Sequence, residues 1–167
     1  MDNPKRFKLY VFNNEHQEVI SDYSSVGLVL KLDNYNLVYT GDTRISEYVI
    51  DQIKSAIKQT KQSTKAKQIF LCNLGGFKQY EVEYDLNGYK NIYKNHLGRI
   101  GLYTLLREFK PTLCLVSEFG EEFEMQRMAI TEVFDNAFPA ITFFPCEIGL
   151  TLKIDETILI STHIVSS

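Results

Sequence analysis

The chain alternates short apolar runs closed by turn residues with longer stretches in which apolar residues recur every three or four positions. That alternation confines it to an α/β fold, because the two periods bury side chains on elements of different kinds. The runs FKLYVF (7–12) and VGLVLKL (26–32) are rich in β-branched and aromatic residues, and Asp33-Asn34 supplies a turn before NLVYT (36–40). A strand followed by a hairpin is expected there. From Ser46 the period changes: Val49, Ile50, Ile53, Ala56 and Ile57 mark a helix, with Ser46 as N-cap and Glu47 in the first turn. QIFLCNL (68–74), closed by Gly75-Gly76, reads as a buried strand. The polar, tyrosine-rich stretch FKQYEVEYDLNGYKNIYKN then reads as a loop of about 20 residues. Leu102, Leu105, Leu106 and Phe109 restore helical spacing up to Lys110-Pro111, and TLCLV (112–116) is a second buried strand. A helix over about 122–137 and strands at ITFF (141–144), LTLKI (150–154) and ILISTHIV (158–165) complete the expected set, the last two strands joined at Asp155-Glu156. No internal repeat or linker divides the 167 residues, so one domain is expected.

Charge and composition remove several function classes. A net charge of -3 and a pI near 5.6 give no general electrostatic reason to bind nucleic acid or an anionic membrane surface. Lys54, Lys58, Lys61 and Lys65 fall along one helix face opposite the apolar one, as a solvated face or, alternatively, a phosphate-contacting stripe. No apolar run approaches the roughly 18 residues of a membrane span, and the opening MDNPKRFKLYVF lacks the apolar stretch of a secretory signal. No membrane association and a cytoplasmic location are the expectations. Cys72, Cys114 and Cys146 lie far apart in apolar runs without a CxxC pair, so they are expected as small buried hydrophobes.

Chemistry in an open α/β sheet gathers outside the strand ends, where loops converge. Four polar residues stand at such places: His16 in NNEHQEV, Asp42 in YTGDT, His96 in NHLGRIG and Glu118 in LVSEFGEEF. Each has an ordinary structural explanation. A histidine in a polar loop is commonly a surface residue, Asp42 or His96 could cap the helix that follows it, and Glu118 could answer a helix dipole. Together, two imidazoles and two carboxylates are the ligand types of a zinc-like site.

The run VGLVLKLDNYNLVYTGDT, with His16 standing 26 residues ahead of Asp42, resembles the second-half hairpin and Gly-Asp-Thr turn of the metallo-β-lactamase fold. NHLGRIGLYTLLREFKPTLCLVSEFGEEF resembles the ribonuclease Z branch of that family in its His-Leu-Gly helix start, Lys-Pro turn, strand and Ser-Glu-Phe-Gly-Glu, and FPCEIGLTLKI is similar to its closing segment. The resemblance covers most of residues 7 to 154. It implies the second half of an αββα sandwich, a mixed sheet with flanking helices, and a metal-dependent, di-zinc hydrolase, with manganese as the alternative metal. His16 would bind the first metal and Asp42 would bridge the pair. His96 would serve as second-metal ligand or proton shuttle, or Glu118 would take the ligand position. Thr43, Ser117 and Glu121 would support these ligands.

Two departures from the family pattern carry consequences. The leading His-x-His-x-Asp-His loop is absent from these 167 residues, and Glu118 stands where the ribonuclease Z branch has its last histidine. About half the ligand shell is therefore missing, so metal should be held weakly and hydrolysis by the chain alone is not expected. A half-sandwich would also leave an apolar sheet face to be covered by a chain bearing the missing half or by self-association. The alternative function is a noncatalytic binding protein that keeps the half-fold. The substrate, a small molecule or a phosphodiester, is left open by the fold.

Overall fold

The computed structural model describes residues 7–16, 25–61, 66–76, 82–84, 90–92, 96–117, 119, 126–146, 149–155 and 157–162. A six-stranded mixed sheet runs in the order β1 (Lys8–Asn13), β2 (Val26–Lys31), β3 (Tyr35–Tyr39), β4 (Lys67–Asn73), β7 (Leu113–Ser117) and β8 (Thr142–Pro145). The first three strands pair antiparallel and the last three join in parallel. Helices α1 (Glu47–Gln59), α2 (Arg99–Phe109) and α3 (Arg127–Ala137) are the crossovers between successive parallel strands. Because every crossover steps in the same direction along the sheet, the common right-handed connection carries all three helices to one face.

That face is the main core. Val29, Val38, Phe70, Cys114 and Phe143 face one another across five strands and meet Val49, Ile53, Leu102, Leu105, Leu106 and Phe134 from the helices. The opposite face carries two apolar rows in register: Leu9, Leu30, Leu37, Ile69 and Leu113, and beside it Val11, Leu28, Tyr39, Leu71, Leu115 and Phe144. A hairpin of β9 (Leu150–Ile154) and β10 (Ile158–Thr162) lays Leu152, Ile154, Ile158 and Ile160 over the inner part of these rows, where Ile69, Leu113 and Leu115 are buried. Burial fades toward the sheet edge: Leu9 is 56% and Val11 58% exposed, with Phe7 at 63% just ahead of them.

Helix α1 starts as its sequence dictates, Ser46 Oγ accepting from the Val49 N–H at 3.2 Å. Three expectations need correction. The tyrosine-rich loop contains a short antiparallel pair, β5 (Val82–Tyr84) and β6 (Lys90–Ile92). Its sequence signal is the alternation around Val82 and Tyr84 followed by Asn87-Gly88, a turn dipeptide that favours hairpins. His96 neither opens nor caps α2, whose N-cap is Gly98. The four-lysine stripe also breaks, because α1 ends at Gln59 and Lys61 adopts a left-handed conformation beyond it. Lys54 and Lys58 remain exposed on the helix, Lys54 pairing with Glu108. Lys65 lies outside the described residues, as do 122–125 of the expected third helix and the end of the last strand beyond Thr162.

The cysteines sit as expected. Cys72 and Cys114 are buried and Cys146 is partly so; burial pushes the Cys72 thiol well up and the Cys146 thiol up to about 11, so both are protonated at neutral pH. Among the described residues, no helix is long and apolar enough to cross a membrane.

Candidate metal centre

The C-terminal ends of β3, β4 and β7 lie side by side, and polar residues at these ends meet others from the segments after β1 and before α2. Gly41 makes the turn after β3 with φ +61; a Cβ there would stand 2.5 Å from the Val26 carbonyl oxygen, so glycine is needed for both reasons. The turn delivers Asp42. Its capping role is ruled out, since Ser46 caps α1.

The segment after β1 is strapped across the same turn. Asn14 Nδ2 donates to the Thr40 carbonyl at 2.6 Å, the Glu15 N–H donates to Thr43 Oγ1 at 3.2 Å, and the Arg44 N–H donates to the Glu15 carbonyl at 3.1 Å. Arg44 also grips the Glu15 carboxylate with two N–H groups at 3.0 and 3.2 Å, which holds that carboxyl below its usual range. These contacts hold the backbone that leads into His16 against the Asp42 turn. Buried Thr43, whose hydroxyl donates in turn to the Arg44 carbonyl, is thus a strut of the strap.

His96 arrives from the third side. The Gly75 N–H donates to the Leu97 carbonyl, and Leu74 and Leu97 form an isolated parallel bridge. This brings the backbone before α2 against the end of β4. A Cβ on Gly75 would stand 2.5 Å from the Cβ of His96, so the missing side chain is what lets the histidine pass.

One ligand atom each from His16, Asp42 and His96 lies within 4.8 Å of the others. His96 Nδ1 is 3.9 Å from Asp42 Oδ1, and the two imidazoles meet edge to face with centroids 5.1 Å apart. Ligand atoms around a tetrahedral zinc stand about 3.3 Å apart, so these side chains must close by less than about 1.5 Å to share one ion. Side-chain exposures of 42% for His96 and 44% for Asp42 leave room for that movement. Two imidazoles and a carboxylate with solvent on one side fit a divalent transition metal with an open position.

Behind Asp42 stands a residue that sequence reasoning passed over. Asn73, the last residue of β4, donates from Nδ2 to Asp42 Oδ1 at 3.3 Å and to the Tyr39 hydroxyl at 3.2 Å, while its Oδ1 accepts from Ser117 at 2.8 Å. The available signal was an asparagine closing a buried apolar strand, where a polar side chain must find partners. Ser117 therefore lies behind Asp42, one residue removed. Glu118 and Glu121 lie outside the described residues. No protein-family model matches the chain, and no curated protein matches it.

Proposed function

We propose that this protein is a divalent-metal-binding domain whose metal is held by His16, Asp42 and His96 and serves hydrolysis in the manner of the metallo-β-lactamase fold. The observation that carries the reading is the convergence of these three side chains from three separate segments, the ones after β1 and β3 and the one before α2. A metal bound there supplies a Lewis acid that polarises an ester, amide or phosphodiester and acidifies water. Zinc and manganese are the metals favoured by the resemblance; ferrous iron suits the same donors and belongs in the comparison. Around the metal, Asp42 supplies the negative charge that retains it, His16 is held by the Glu15–Arg44 strap, and His96 stands at the open side, where it either ligates or carries a proton. A complete hydrolytic centre in this reading needs the His-x-His-x-Asp-His loop, which is absent from these 167 residues.

The bare outer part of the sheet supports a partner, either a chain bearing that loop or a second copy. Exposed Leu9 and Val11, with the half-buried Leu28 and Leu30 beside them, continue the rows that β9 and β10 cover further in, so a second sheet laid over them would extend a packing already present. This observation also favours the second reading, a noncatalytic domain that uses the face for binding.

Calorimetric titration with zinc, manganese and ferrous iron tests the metal. Weak binding by the chain, reduced by roughly a hundredfold or more in Asp42→Ala, is the expected outcome. Binding indifferent to Asp42 would sink the shared site, and robust metal-dependent hydrolysis by the isolated chain would show that the local ligand set suffices.

A further inference from the structure

Asn73 is 4% exposed, and a buried amide of this kind must satisfy two N–H donors and a carbonyl. Its orientation is decided by its neighbours. The NH2 end faces the Asp42 carboxylate oxygen at 3.3 Å, and the Ser117 hydroxyl donates to the other end at 2.8 Å. The main chain is fixed as well, the Asn73 N–H reaching Thr40 Oγ1 at 3.4 Å and the Thr40 N–H reaching the Leu71 carbonyl at 3.0 Å. The amide is thus clamped between two strands and pointed at the carboxylate. Asp42 Oδ1, the atom that receives the amide, is also the one 3.9 Å from His96 Nδ1.

We infer that Asn73 is a positioning residue for Asp42: its amide sets the rotation of the carboxylate toward His96, and Ser117 locks the amide in that sense. The inference rests on the metal reading of His16, Asp42 and His96. A half-exposed aspartate on a turn would otherwise sample several rotamers, and each lost rotamer must be ordered when the metal arrives. Groups that orient a ligand from behind commonly govern metal affinity as strongly as tenfold to about a hundredfold. The side chain at 73 must also be a donor. Aspartate has the same shape but would set a second carboxylate against Asp42, and leucine fills the space with no hydrogen bond.

Cobalt(II) titration of the intact chain, followed by its visible ligand-field bands, reads the coordination directly. Asn73→Leu is expected to weaken cobalt binding by roughly ten- to a hundredfold and to change the shape of the bands. Ser117→Ala, which leaves the amide in place but unlocked, should weaken binding several-fold, with its thermal melting in chelator matching the parent chain. Should Asn73→Leu fail to fold, the Ser117→Ala titration decides alone. Parent-like affinity and bands in the folded variants would overturn the inference while leaving the metal site standing. A parent chain that gives no cobalt bands would overturn the metal reading itself, and the inference with it.

Discussion

The two faces of the central sheet carry the same kind of residue and meet different fates. On one, Val29, Val38, Phe70, Cys114 and Phe143 form a row closed over by three helices. On the other, Leu9, Leu30, Leu37, Ile69 and Leu113 form an equally apolar row that passes from buried beneath β9 and β10 to open at the edge. Strands buried on both sides read as continuous apolar runs, so the chain was written for two covered faces. The helical crossovers supply one cover in full; the hairpin supplies part of the other. The candidate metal centre sits at the end of the sheet, beside the C-terminal ends of β3 and β4.

The comparison breaks most visibly in the core. Phe134→Ala, which empties a fully buried position among Tyr103 and Phe143, is expected to cost about 3–5 kcal/mol, read from the denaturant midpoint. A loss below about 1 kcal/mol would mean that the helical face is not the main core.

Gly75→Ala probes the dependence of the site on close packing. The added methyl collides with the root of His96 rather than with a flexible tip, so the imidazole must shift and metal affinity should fall roughly tenfold, measured by the same calorimetry. An unchanged affinity would remove His96 from the ligand set.

Arg44→Ala tests the strap with a smaller effect. The carboxyl of Glu15 is held below its ordinary value of 4.5, chiefly by the Arg44 hydrogen bonds. A depressed carboxylate stabilises the fold above its unfolded pKa, and the contribution is lost as pH falls through the folded one. Because both partners are near a third exposed, the loss should be under about 1 kcal/mol at pH 7, and the variant and parent should converge in stability as the pH falls from 4.5 through the lowered pKa of Glu15. A difference that persisted in acid would assign the effect to packing instead.

The smallest change in stability belongs to the bare face. Leu9→Lys with Val11→Lys should alter the melting free energy by no more than about 0.5 kcal/mol, while lowering any concentration-dependent scattering or hydrophobic-dye binding. A loss approaching that of Phe134→Ala would show that the second face is already covered in the folded chain.

Much of this architecture was legible in the residues themselves. Strand and helix order, the Ser46 cap and the delivery of Asp42 by a Gly-Asp turn follow from local period, capping chemistry and turn preference, each of which acts within a few residues. The short hairpin in the tyrosine-rich stretch was readable in the same way, from its Asn-Gly, but polarity hid it. His16, Asp42 and His96 were named by residue type and position at strand ends, and the structure brings them together. What only the tertiary structure decided are the pairings between distant residues. Asn73 meets Asp42 across 31 positions and Ser117 across 44, and Gly75 makes room for His96 only because parallel strands bring those segments alongside one another. The coverage of the second sheet face is of the same kind. A local pattern states that a side chain seeks burial; which layer reaches it depends on crossover direction and register, and those are set by the packing of the whole chain.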